Sequence, residues 1–220
     1  MNRISILLAG VLACLTTEVS AEKLVKYVNP LVGTAGFGNV YPGAQVPFGG
    51  IQISPDTDES DYDTASGSKY TKPTIMGFSL THLSGTGIPD LGDFLFVPGT
   101  GTMKSAAGTA EDPDSGYRSR FSHETESATP GYYCVDMDDY GTRAEMTAST
   151  RSGILRFTFP ACDSSFVMVD LDHTLQFKCV WASVRQLDEY TLVGSKTVNG
   201  WNPDRLSISR RASPVPSRTS

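Results

Sequence analysis

From Gly131 onward the chain alternates apolar and polar residues with a period of two, in runs of six to nine residues cut by turn signals. In "ILRFTF", Leu155, Phe157 and Phe159 fall on one side while Arg156 and Thr158 fall on the other. "FVMVDLD" places Val167, Val169 and Leu171 together, and "QFKCVWASV" alternates Phe177, Cys179 and Trp181 with Gln176, Lys178 and Val180. "YYCVDMDD" and "TRAEMTAST" flank Tyr140-Gly141, which predicts a hairpin. A period of two puts alternate side chains on opposite faces of a strand, so repeated short runs predict antiparallel sheets closed into a sandwich or barrel. No stretch holds a helical period over three turns, and the expected class is all-β.

The first half is richer in loops. "YPGAQVPFGG" is turn sequence, "IQISP" and "DFLFVPGTG" predict short strands, and "DTDESDYDTASGSKY" predicts an acidic loop. The 21 Gly and 13 Pro of the 220 residues favour such turns over long helices. A net charge of −6 offers no electrostatic footprint for nucleic acid.

Both termini differ from the body. Arg3, the apolar run "ISILLAGVLACL" and the small residues Val19-Ser20-Ala21 predict an export signal over residues 1–21. The apolar run is too short for a transmembrane segment, which needs about 20 residues. "VLAC" also fits a lipoprotein box with Cys14 as the lipid-bearing residue, although the polar stretch up to Ala21 favours simple cleavage. Either route predicts a periplasmic or cell-surface protein. At the other end, Arg205 to Ser220 carries four Arg, five Ser and no acidic residue. The body between the signal and this tail has 13 basic and 23 acidic residues. The expected division is therefore a signal at 1–21, a domain at 22–205 and an aberrant Ser/Arg/Pro tail at 206–220, either a natural basic tail or a shifted reading frame.

The densest group of chemistry-bearing residues is "GFSLTHLSGTGIPDLGDF", Gly77 to Phe94. A serine nucleophile elbow needs Gly two places before and after the Ser, but Ser84 has His82 and Thr86 there. A dinucleotide fingerprint needs a third Gly where Asp90 stands, and a phosphate-binding loop needs a Lys that is absent. What is left is a backbone open to close approach at Gly85 and Gly87, flanked by hydroxyls and carboxylates. That profile suits a hydroxyl-rich ligand such as a sugar, and equally a tight inter-strand loop whose polar groups satisfy one another.

Other clusters are weaker. Asp56, Asp58, Asp61 and Asp63 invite comparison with a calcium loop, yet the Gly and Glu that an EF-hand requires are missing, and a solvated loop is the expectation. "FSHETE" brings His123, Glu124 and Glu126 together, but nothing in the sequence sets two carboxylates across a substrate at the roughly 5–9.5 Å that glycoside hydrolysis needs. His173 follows "VDLD", where a turn explains it. Cys134, Cys162 and Cys179 have spacings that fit no zinc pattern.

Three long segments point further when taken in order. "YVNPLVGTAGFGNVYPGAQVPFGGIQISPDT", "GFSLTHLSGTGIPDLGDF" and "FSHETESATPGYYCVDMDDYGTRAEMTASTRSGILRFTFP" closely resemble the N-terminal domain of glycoside hydrolase family 92. The resemblance runs from about Lys26 to Trp201. It implies an antiparallel β-sandwich that, in the family, precedes a larger (α/α)6 barrel. It also implies an exported, calcium-dependent, inverting α-mannosidase that trims terminal α-1,2-mannosides of N-glycans, with a Glu as acid and an Asp as base.

The acid, base and calcium shell belong to the barrel in the family, so the resemblance implies no catalytic residue and no metal ligand in this chain. The partners implied are a mannose-containing glycan and that barrel. Asn39, His82, Ser84, Gly85, Thr86 and Asp90 become the expected substrate-side residues. Leu80 stands where many relatives carry a second His, and from Leu206 the sequence leaves the family pattern. The expectation is an incomplete sandwich without the catalytic barrel, inactive by itself. A non-catalytic carbohydrate-binding or purely structural module is the alternative.

Overall fold

A computed structural model describes residues 24–58 and 62–201, apart from the Asp63 side chain, and the backbone of 205–212. The signal segment with Cys14, Asp61 of the acidic loop and the last eight tail residues lie outside the described residues. The strands are β1 Ser54–Asp56, β2 Thr74–Ile75, β3 Gly77–Ser79, β4 Leu95–Thr100, β5 Ser119–Arg120, β6 Ser127–Thr129 and β7 Tyr132–Met137. They continue as β8 Thr142–Ala148, β9 Gly153–Thr158, β10 Ser165–Asp170, β11 Lys178–Asp188, β12 Thr191–Asn199 and β13 Arg205–Ala212. The helical pieces that join them are single 3-10 turns.

Every strand pairing is antiparallel. One four-stranded sheet has the order β1-β3-β4-β10, a second is the meander β6-β7-β8-β9, and β11-β12-β13 form a three-stranded sheet. β2 and β5 pair separately. The hairpin expected at Tyr140-Gly141 links β7 to β8, with Gly141 in the left-handed region at φ 58°. There Asp138–Tyr140 forms the 3-10 turn.

The main core lies between the two four-stranded sheets. Ile53, Ile75 and Phe78 meet Tyr133, Val135 and Met137 of β7 and Ala144 and Met146 of β8, all buried. Leu155 and Phe157 of β9 pack on this cluster from one face of the alternating run "ILRFTF", while Ile154 stays exposed. A second cluster of Met76, Leu95, Val97 and Tyr117 is backed by Met168 of β10. β4 is consequently buried on both faces, and "LFV" at its start reads as a continuous apolar run for that reason.

The third sheet departs from simple alternation. A register shift between Cys179 and Trp181 interrupts the period in "QFKCVWASV", so the two do not continue one face as the sequence suggests. β11 is a sheet edge that exposes Val180, Trp181, Val184 and Leu187. β13 continues the ladder beyond β12, pairing Arg205 with Val198 and Ala212 with Thr191.

Candidate functional site

The segment between β3 and β4 is a compact loop whose two feet are hydrogen-bonded together. Leu80 N donates to Asp93 O at 3.0 Å and Gly92 N to Thr81 O at 2.9 Å. The Thr81 side chain finishes the closure: Oγ1 donates to Asp93 Oδ2 at 3.1 Å and accepts from Asp93 N at 3.1 Å. Such a loop, with adjoining ends and a packed base, is an Ω-loop, a form that often carries function.

His82 points down into the base. It is 2 % exposed, with Nδ1 2.6 Å from Gln52 O and Nε2 2.7 Å from Asp56 Oδ1 and 3.1 Å from Ser79 Oγ. The other carboxylate oxygen of Asp56 lies 2.9 Å from Nε2 of His173. Burial alone would raise the Asp56 pKa. The charge of His82 and the hydrogen bonds from His173 and His82 outweigh it and hold the carboxyl well below the usual carboxylate range.

Gly67 completes the enclosure with φ 81°, and a Cβ there would lie 2.3 Å from Asp56 Oδ1. Asp56 is thus no member of a solvated acidic loop, and His173 is more than a turn residue. The sequence signal that could have found Asp56 is its place directly after the apolar strand residues "IQISP", ahead of the acidic run.

The other expected site residues divide between base and apex. Asp90 is 5 % exposed, and its carboxylate accepts from Leu91 N at 2.6 Å and from Trp201 N at 3.1 Å, so it fastens backbone. Leu91 itself stands at φ 76°, a strained position for a residue with a Cβ. Asn39, at φ 49°, is buried and accepts from Gly85 N through its main-chain oxygen at 2.7 Å. Its Oδ1 is buried without a hydrogen bond.

Ser84 and Gly85 form the exposed apex, and half-buried Thr86 donates from Oγ1 to Ile88 O at 3.3 Å. The structure therefore brings Asn39 against the apex and sends His82 and Asp90 to its foundations. Two aromatic residues that the sequence did not single out stand beside it. The exposed rings of Phe37 and Tyr62 have centroids 6.2 Å apart, and Tyr62 lies on the backbone of Gly87.

The cluster at "FSHETE" is a structural knot. His123 lies in a turn, stacked on Tyr70 at 3.8 Å, with Nδ1 2.6 Å from Glu126 Oε2 and Nε2 2.8 Å from Tyr70 O. Tyr133 OH donates to the second Glu126 oxygen at 2.6 Å. Burial, with the Glu126 charge behind it, raises the Tyr133 pKa well above its ordinary value. Glu126 is committed on both oxygens and cannot face Glu124 across a substrate.

The profile of the glycosyl hydrolase family 92 N-terminal domain matches residues 27–211. This chain belongs to glycosyl hydrolase family 92.

Two solved members of the family show the likeness in three dimensions. The family 92 α-mannosidase BT3965 from Bacteroides thetaiotaomicron, solved with mannoimidazole, is 62 % identical with a TM-score of 0.83, over 84 % of this chain and 24 % of that one. The inverting mannosidase BT2199 from the same bacterium is 27 % identical with a TM-score of 0.65, again over 84 % of this chain and 24 % of that one. An uncharacterized secreted glycosidase of Arthroderma benhamiae is 32 % identical over 166 residues, covering 71 % of this chain and 20 % of its own length. The chain thus spans about a quarter of the solved family 92 enzymes, in the part that the family assigns to its N-terminal domain.

Among the described residues, no three His, Cys, Asp or Glu side chains are arranged to hold a metal ion. The described side chains therefore do not fit the calcium that the family resemblance implies. No described helix is long and apolar enough to cross a membrane.

Proposed function

We propose that this domain forms the non-catalytic wall of an α-mannoside site, presenting the Ser84–Thr86 apex to the sugar. The observation that carries the proposal is an exposed, hydroxyl-bearing, glycine-opened apex on a hydrogen-bonded base, in a chain 62 % identical to an α-mannosidase solved with mannoimidazole. Ser84 and Thr86 offer hydroxyls, and Gly85 lets a ligand approach the backbone closely, since no other group lies within 4 Å of where its Cβ would stand. His82 and Asp90 support this apex from within. Phe37 and Tyr62 add apolar surface of the kind that meets the C–H face of a pyranose ring.

The acid and base come from outside this domain, so the chain binds a mannoside and does not cleave it. Terminal α-1,2-mannosides of N-glycans, calcium in the whole enzyme, and export through residues 1–21 to the periplasm or cell surface belong to the same proposal. The similarity to a secreted glycosidase supports the last of these.

Calorimetric titration of the 220-residue chain with mannose, and with glucose as control, tests the binding claim. Saturable mannose binding is expected, weakened about fivefold for each hydroxyl removed in Ser84→Ala and Thr86→Val. Binding that ignores both changes would move the sugar elsewhere. Release of mannose from α-1,2-mannobiose by the purified chain would overturn the non-catalytic assignment.

A further inference from the structure

Below the apex the buried polar groups form a closed circuit. His82 meets Asp56 and Asp56 meets His173 at 2.7 and 2.9 Å. The main-chain oxygen of His173 accepts from Lys196 Nζ at 2.5 Å, and the same ammonium lies 3.9 Å from Asp93 Oδ1. Asp93 accepts from Thr81, and Thr81 is the residue before His82. The side chains of Asp56, His82, His173 and Lys196 are fully buried, and that of Asp93 is 2 % exposed. Lys196 comes from β12, so the circuit also ties the three-stranded sheet to the sheet that holds β1, β4 and β10.

Both ring nitrogens of His82 are engaged. Gln52 O can only accept, so Nδ1 of His82 carries a proton and donates to it. Nε2 lies against Asp56 Oδ1 and also 3.1 Å from Ser79 Oγ. Asp56 in turn has one oxygen on each of two buried imidazoles, and the Lys196 ammonium stands against Asp93. Buried polar groups are tolerated when they are partnered in this way.

We infer that Asp56 and Lys196 are positioning residues for the sugar-facing apex. Asp56 holds the first foot of the loop through His82, Lys196 holds the second through Asp93, and together they set where Ser84, Gly85 and Thr86 stand. At the apex itself Gly85 donates one hydrogen bond to Asn39 O, and nothing lies within 4 Å of where its Cβ would stand. That the apex faces a sugar rests on the function proposed above. That it is held from below does not.

Nuclear magnetic resonance on the full chain tests the assignment. In the wild type the Nδ1 proton of His82, bonded to Gln52 O, exchanges slowly with solvent. Asp56→Asn speeds that exchange, and amide exchange at Gly85 and Gly92 accelerates at least about tenfold while Val135 in the main core stays within about twofold. Lys196→Met accelerates the same two amides and leaves the His82 Nδ1 proton slow. Should Asp56→Asn fail to fold, the wild-type ring signature and Lys196→Met still decide.

A His82 Nδ1 proton that exchanges freely with solvent in the wild type overturns the inference. So does equal acceleration at Gly85 and Val135, or none at Gly85 in either variant. Mannose titration of the same samples separates the two proposals. Weakened binding that follows the loss of Gly85 protection supports both. Lost protection in a chain that never bound mannose keeps the positioning role and removes the sugar.

Discussion

Gly67 and Gly85 share a backbone conformation, with φ 81° and 71°, and differ in what surrounds them. An Ala at either position must hold the left-handed region, which costs about 1–2 kcal/mol for a residue with a Cβ. The smaller entropy of the unfolded chain returns about 0.4–1 kcal/mol. At Gly85 nothing lies within 4 Å of the added carbon, so the net loss is on the order of 1 kcal/mol or less.

At Gly67 the carbon arrives 2.3 Å from Asp56 Oδ1, 3.0 Å from His82 Cδ2 and 3.1 Å from Leu175 Cδ2. The carboxylate cannot retreat without lengthening its bonds to His82 and His173. Hydrogen bonds to a charged group contribute about 1.5–3 kcal/mol, and over-packing a full core costs about 1–3 kcal/mol. Taken with the backbone strain, Gly67→Ala loses about 3–5 kcal/mol.

For a chain of this size that lowers the melting temperature by about 6–20 °C, against a few degrees at most for Gly85→Ala. Urea unfolding at pH 7, followed by tryptophan fluorescence and far-ultraviolet circular dichroism, measures both. Equal losses for the two variants would refute the reasoning, because the surroundings of Asp56 are the only difference it invokes.

Two further outcomes follow from the same contacts. The Asp56 carboxyl is held below its unfolded value, so the unfolded chain binds more protons in acid and the stabilisation is complete only above about pH 4. Glu145, lowered to about 2 by Arg156 and Tyr132, adds a smaller share because its partner is exposed. Unfolding midpoints should fall steeply below about pH 4, and Asp56→Asn should flatten that limb; an unchanged limb counts against an ionised Asp56. In the core, Phe78 is fully buried between the two four-stranded sheets, and Phe78→Ala should cost about 3–5 kcal/mol in guanidinium unfolding, whereas a loss below 1 kcal/mol would mean that the sheets do not meet there.

The strands of the second half were legible because each buries one face. β9 shows its inner Leu155 and Phe157 and its outer Arg156 as plainly in letters as in space. β4 was legible as a strand but not as one buried on both sides, since a continuous apolar run does not say what covers it. The register shift at Cys179 was hidden, because a bulge changes which residues share a face without altering the composition.

The site divided along the same physical line. The apex residues were found by type, since Gly and small hydroxyls between two strands advertise an open loop. Its foundations were missed because Asp56, His173 and Lys196 are polar residues drawn from 56 to 196, and a polar letter reads as surface until a partner of opposite charge is known to lie against it. A lysine in an alternating strand marks the outer face by default. Lys196 faces inward on β12 because His173 O and Asp93 wait there, and those two meet only after β4 and β10 have paired. The charges that fix the loop are thus a product of the sheet topology: the sequence can specify them only through the strands, and a change at Lys196 should be felt at Gly85 although 111 positions separate the two.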